Sequence, residues 1–557
     1  MTSSIRILAT AFLSGVFTIG LAGAQETTSE HEVDNDPGLV ELDRATELRL
    51  TADSMADLQR IVRLCESAIK LGIDEENTEY AVELMTAALY EHASRLSQPL
   101  LAKQGRDRQR QALLTLALKD LHRLMEIDDT LAAAHILLAR LHLLPGGERK
   151  TALTAVNRAI ELLNEGEDNE QLSQAYVVKS HLASSPVEQI DHLNKAVEID
   201  TEYLDAIRNR GLVLLSQRKY TEAIADFEKI LETDPNELTA LHGIGEAFAE
   251  TGSFQQAIEH TTKAIETSPN SYTSYLLRAK IFVQADKPAE ALADLDKSID
   301  IFPKNIPGFM ARAQLRLQRQ EFELALADIN RVLELSPQLP QAILFRSVIF
   351  EMSNRLHDAI NDIDQLLRQN PTNVELQLQL ARLYGLDQRP SKAIKLYDDI
   401  LQQDPANALA LRGRADSLLN TGQQAAAIKA YEQALQHLPE DSGILNNLAW
   451  VLATSPDDSL RNAERALELA SQACTITEFK FAHMLSTLAA AYAELSDFEN
   501  AIKYSTQAVA LANEDEMKTQ LQKELTSYMN KQPWREIQNL IEKPDPEPPS
   551  PDDLSIE

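Results

Sequence analysis

The chain has 557 residues, and its 53 Lys and Arg against 85 Asp and Glu leave a formal charge of −32. That balance argues against a nucleic-acid partner, since affinity for nucleic acid comes largely from cations neutralising phosphates. Hydrophobic residues make up 44% of the chain, aromatics 5%, and there are 18 glycines, a mixture that points to an all-α protein with ample core material and excludes disorder or a collagen-like structure for its bulk.

Residues 1–24 read as a secretory signal: Arg6 supplies a positive charge, Ile7 to Leu21 an uncharged apolar stretch, and Ala22-Gly23-Ala24 a small-residue cleavage site. An uncleaved membrane anchor is the alternative reading, although the stretch is short for a span and no other segment is long and apolar enough for one. Residues 25–39 are polar and acidic and are expected to be disordered. Residues 40–129 are helical by pattern, most clearly at 57–71 and 77–96, without a readable repeat phase. Two degenerate helix pairs follow in 130–203, at 130–144 with 151–163 and at 171–183 with 187–199. Residues 204–441 are seven phased units, 442–512 two further ones, 513–542 a capping helix shielding the last apolar face, and 543–557 a Pro-rich acidic tail with nothing to bury. Cys65 and Cys474 are too few for a disulfide framework and read as small core hydrophobes.

The phase comes from proline. Pro235, Pro269, Pro303, Pro337, Pro371, Pro405 and Pro439 stand 34 residues apart without a gap. Twelve residues before each is an alanine, from Ala223 and Ala257 to Ala427, and twenty-four before each is a small residue: Gly211, Gly245, Ala279, Ala313, Ser347, Ala381 or Ala415. Three residues after the small one comes a large apolar side chain (Leu214, Phe248, Phe282, Phe350, Tyr384, Leu418), with Arg316 the one departure. Each unit therefore holds two short helices whose small residues allow close approach, and proline ends the second by removing a ladder donor. The seven units begin at Leu204, Leu238, Tyr272, Ile306, Pro340, Val374 and Ala408.

Comparing units with one another exposes a charge pattern. Arginine precedes the small residue in five of them (Arg210, Arg278, Arg312, Arg346, Arg414), and sixteen residues later four of these carry aspartate: Asp226, Asp294, Asp328 and Asp362. The aspartate occurs only where the arginine does, so a structural pair between the two helices is expected; two independently solvated charges are the other reading.

A 34-residue unit with a small residue, an alanine and a terminal proline at these spacings resembles the tetratricopeptide repeat family. The resemblance implies a right-handed α-solenoid of stacked helix-turn-helix units closed by the C-terminal capping helix. The block LNNLAWVLATSPDD, with LSTLAAAYAE and PWRE further on, looks like secreted bacterial members of unassigned role. In the family the first helix of each unit lines a groove. Carried onto this sequence, that row holds Leu276, Met310, Leu344 and Leu378, joined by Val283, Leu317, Val348, Met352 and Leu386, an apolar stripe suited to a peptide or amphipathic helix. Burial of these side chains between units is the competing reading. The family's carboxylate clamp needs Asn at positions that here hold Leu212, Glu246, Lys280, Gln314, Val348, Arg382 and Asp416, so that ligand mode is not expected.

Chemistry-bearing motifs are missing. Pro145 to Thr151 lacks the glycine before Lys150 that a phosphate-binding loop needs, and His135 and His142 stand two turns apart on one helix. No catalytic residue, metal site or cofactor is expected. The sequence therefore predicts a non-catalytic interaction scaffold, periplasmic or secreted, that binds a protein or peptide partner in its groove. An accessory substrate-docking subunit of an export or glycan-modifying enzyme and a self-associating structural solenoid are the alternatives.

Overall fold

The structure is a computed structural model, and it describes residues 36–102, 107–163, 168–536 and 542–544. Among them every regular element is helical: 27 α-helices and a 3-10 turn at Asp458–Leu460. The chain divides into two compact units between Thr251 and Gly252. The expected signal at 1–24 lies outside the described residues, as do 25–35 and 545–557.

The N-terminal unit begins with helices Pro37–Thr51, Met55–Leu71, Glu75–Leu101 and Asp107–Ile127. The first of them starts inside the segment expected to be disordered. Asp36 is the reason: its carboxylate accepts from the Gly38 N–H at 2.8 Å, and Pro37 takes the first helical position, where a missing donor costs nothing. Ser54 and Asp57 close a capping box on the second helix, which ends at Gly72 in the left-handed conformation. Leu58, Ile61, Cys65 and Ala68 lie on one face of that helix and are fully buried in a core shared with Ala81, Ala88, Leu121 and Leu124. Helix pairs then continue through Ala132–His142 with Arg149–Leu162, Asn169–Ser180 with Pro186–Ile199 and Leu204–Ser216 with Tyr220–Thr233, to helix Leu238–Glu250.

The C-terminal unit runs from helix Phe254–Thr267 through the pairs of the third to seventh repeats. These are Tyr272–Gln284 with Pro288–Ile301, Ile306–Gln318 with Phe322–Leu335, Pro340–Met352 with Leu356–Gln369, Val374–Leu386 with Pro390–Gln403, and Ala408–Asn420 with Gln424–His437. Ser442–Thr454 with Ala463–Ile476 and Ala482–Glu494 with Phe498–Leu511 follow, then helix Asp515–Met529.

Three local devices fix the repeat. All seven phased alanines, Ala223 to Ala427, are fully buried, so no larger side chain fits there without displacing a helix. The turn between the two helices carries one left-handed residue each time: Arg218, Gly252, Asp286, Gln320, Asn354, Gln388 and Gly422. Five of these are not glycine, a conformation costing roughly 1–2 kcal/mol. A returning hydrogen bond offsets it, such as Lys287 N–H to the Phe282 carbonyl at 2.8 Å or Arg389 N–H to that of Tyr384 at 2.8 Å. The third device is a matched pair. A Cβ on Gly413 would lie 2.3 Å from the Tyr397 ring and one on Gly243 2.4 Å from the Phe227 ring, so an aromatic on one second helix fills the space vacated on the next first helix.

The C-terminus departs from expectation. The capping helix stops at Met529, because Lys531 turns left-handed, Gln532 N–H returns to the Ser527 carbonyl at 3.0 Å, and Pro533 blocks continuation. Residues 532–536 are non-helical. Trp534 packs half-buried on the last core cluster, Arg535 Nη2 stands 2.7 Å from Glu494 Oε2, and Glu536 N–H donates to the Thr454 carbonyl at 3.0 Å. Lys543, placed by sequence at the head of the disordered tail, is also held in contact, with its N–H 3.0 Å from the Gln388 carbonyl.

Candidate functional site

Between the first helices of the third and fourth repeats lies a cavity of about 490 Å³. Its walls are Leu276, Leu277, Val283, Leu295, Ala311 and Leu315, with Thr273, Lys280, Gln284, Gln314 and Gln318 along the rim. Ala311 explains the opening: one repeat later the equivalent residue is Phe345, half-buried against the core, so truncation to alanine removes an aromatic ring's worth of filling.

The structure divides the predicted apolar stripe. Leu276 and Val283 line the cavity, and Val283, Leu344, Met352 and Leu386 are exposed at 42%, 38%, 54% and 50%. Met310 and Val348 are half-buried against one core cluster and Leu378 against the next. Leu317 is the correction. It is buried in the cluster with Phe309, Leu326 and Ile329 and offers nothing to a ligand, although Val283 holds the same repeat phase. Leu277, Leu295, Ala311 and Leu315 were not singled out by sequence; the drop in size from Phe345 to Ala311 at one phase is the signal that points to them.

Charged groups interrupt the stripe. Glu351 and Arg382 join the first helices of the fifth and sixth repeats through two contacts of 2.6 Å, and this hydrogen bonding holds the Arg382 guanidinium above its ordinary value. Asp416, at an expected clamp position, accepts from the buried Tyr431 hydroxyl at 2.6 Å and from Asn447 at 3.1 Å.

The arginines form a ladder. Arg210 reaches Asp226 through Nε at 2.8 Å and Nη2 at 2.6 Å, and Arg278 reaches Asp294 at 2.7 and 2.8 Å. Arg312 meets Asp328 and Arg346 meets Asp362 in the same way, each with a shortest contact of 2.6 Å. Hydrogen bonding to the partner carboxylate holds Arg210, Arg278 and Arg346 above their ordinary values. All four aspartates are buried, so these are desolvated pairs rather than solvated charges. Each arginine also spends its remaining nitrogen on the residue sixteen positions earlier, in the second helix of the preceding repeat: Asn194, Thr262, Asp296 and Asn330. Arg414, facing Ala430 where an aspartate would be, keeps the backward contact, to Asp398 at 2.5 Å. Arg316, the departure from the apolar position, is explained as well: its Nη1 gives Asp328 a second arginine at 2.7 Å. The backward partners have the same spacing as the forward ones, reversed, and only their varied chemistry hid them.

Elsewhere, Pro145 to Thr151 forms a turn and the start of helix Arg149–Leu162, and His135 is buried with Nε2 3.1 Å from Asp129. Among the described residues there is no group of three or more His, Cys, Asp or Glu placed to hold a metal, and no helix is long and apolar enough to cross a membrane.

Tetratricopeptide repeat models match residues 208–272, 242–306, 350–408 and 378–443, and another matches 414–522. With the helix pairs and the 34-residue phase, they place the chain in the tetratricopeptide repeat family, as an all-α solenoid and protein-protein interaction scaffold. A tetratricopeptide repeat protein of Parabacteroides merdae shares 19% identity, with 53% of this chain and 99% of that one covered and a TM-score of 0.34. YrrB, described as having an unusual peptide-binding site, shares 19% over 33% of this chain and 95% of its own, TM-score 0.27. A thermophilic member from Thermus thermophilus shares 19% over 32% and 98%, TM-score 0.27. No curated protein matches.

Proposed function

We propose that the chain is a non-catalytic scaffold of the cell envelope whose first-helix groove seats an apolar segment of a partner protein, periplasmic or secreted. The cavity walled by Leu276, Val283 and Leu315 carries this reading: it is apolar, opens beside the exposed Val283, and has room for one large anchoring side chain. Burying a Leu or Phe side chain there contributes about 1.5–3 kcal/mol, the scale of a binding hot spot. Leu344, Met352 and Leu386 extend the apolar surface over the following repeats. The apolar stretch 7–21 supports the compartment.

The test is capture from an envelope extract by residues 25–557, beside Gln314→Trp. Gln314 is exposed on the cavity rim, so an indole there fills the cavity without entering the core. Loss of one specific partner, with a roughly tenfold or greater fall in its measured affinity and an unchanged helical signal, is expected. Equal retention by both proteins puts binding elsewhere, and a protein found only in the cytoplasmic fraction ends the envelope assignment.

A further inference from the structure

Helix Pro390–Gln403 starts without a cap of its own. Its N-cap residue Arg389 makes no side-chain bond to the first turn, and Pro390 brings no N–H. The exposed donor of Ser391 is taken by a residue 151 positions later: the Glu542 carboxylate accepts from Ser391 N at 3.2 Å and from Ser391 Oγ at 2.7 Å. A helix N-terminus favours such a carboxylate through its free N–H groups and its dipole. Beside it, Lys543 donates its N–H to the Gln388 carbonyl at 3.0 Å, and its ammonium stands 3.2 Å from Asp387 Oδ1. Asp387 is 6% exposed, and Arg389 is its other cationic neighbour, Nε at 3.2 Å.

The turn therefore presents an anion and a helix N-terminus four residues apart, and the segment brings a cation and an anion in matching register. Other turns of this unit do not repeat the combination. The phase of Asp387 holds Ala285, Arg319, Ser353 and Thr421, and that of Ser391 holds Ala289, Glu323, His357 and Ala425. The same segment is fastened upstream, where Glu536 and Arg535 bind the eighth helix pair and its neighbour Glu494. Residues 537–541 lie outside the described residues.

We propose that the turn Asp387–Ser391 is a binding site for an extended Glu-Lys dipeptide, filled in the resting protein by the chain's own Glu542-Lys543. Glu542-Lys543 then clasps the turn of the sixth repeat. It is read by charge order: the carboxylate must meet the helix N-terminus and the ammonium Asp387, so a Lys-Glu dipeptide puts both charges against their like.

The test is amide hydrogen exchange on the full chain, reading Ser391. Both tail residues are exposed, so exchanging them leaves the core untouched. The variant Glu542→Lys with Lys543→Glu, which keeps composition and net charge, is expected to speed Ser391 exchange at least tenfold while leaving Ala393, whose N–H bonds to the Arg389 carbonyl and not to the tail, unchanged. Glu542→Asp with Lys543→Arg is expected to retain most of the protection. Unchanged Ser391 exchange in the reversed variant overturns the proposal. So does protection in the native protein that fades on dilution, which assigns the site to the tail of a second copy.

Discussion

Asp294 and Asp328 occupy the same position in adjacent repeats, yet they should respond differently to loss of their arginine. Arg278→Ala strips Asp294 of contacts at 2.7 and 2.8 Å and leaves a carboxylate 6% exposed with no second arginine among the described residues. Removing one partner of a buried pair costs about 3–5 kcal/mol, and the partial exposure of Arg278 brings the expectation to about 3 kcal/mol. Arg312→Ala leaves Asp328 still holding Arg316 at 2.7 Å. A hydrogen bond to a charged group contributes about 1.5–3 kcal/mol, so the surviving one should reduce the cost to roughly 1.5 kcal/mol. The double change Arg312→Ala, Arg316→Ala should then exceed the sum of its single changes, the mark of two groups sharing one partner. Hydrogen exchange in helices Pro288–Ile301 and Phe322–Leu335 reads each cost locally, which suits an array whose repeats open separately. An Arg312→Ala cost equal to or above that of Arg278→Ala would refute the shared-partner reasoning.

Two other outcomes follow from packing and burial. Gly413→Ala should cost about 1–3 kcal/mol by driving a methyl into the Tyr397 ring, and Tyr397→Ile, the residue found at that phase in Ile329 and Ile363, should recover most of it; denaturant midpoints check both. Glu524 is buried in the capping helix, where desolvation, with Glu536 adding to it, raises its carboxyl above the ordinary range against the Ser486 and Gln520 bonds. An acid with a raised folded-state value contributes stability that is full below its unfolded value and is lost as pH rises through the folded one. Protection of Asp515–Met529 against exchange, taken relative to the base-catalysed intrinsic rate, should therefore fall as pH climbs from the carboxylate range towards neutrality, and Glu524→Gln should flatten that change; equal slopes in both proteins would reject it.

The sequence by itself determined whatever repeats. Prolines, small residues and alanines at a 34-residue period mark the helix pairs because each unit solves the same packing problem with the same local geometry. The sixteen-residue step from Arg278 to Asp294 was legible for that reason, and the helix near residue 57 was legible from its apolar face. Whatever depends on a neighbour's volume was not. Val283 and Leu317 share a phase, but one faces a cavity and the other lies in a core, because Ala311 leaves a space that larger side chains close in the next repeat. The left-handed turn residues were hidden too, since returning backbone bonds let Arg, Asp, Gln or Asn stand where glycine is expected. Glu542 on Ser391 has no period at all. Only the tertiary structure brings a C-terminal carboxylate to an uncapped helix 151 residues before it, because such a contact is set by the path of the chain and not by any spacing within it.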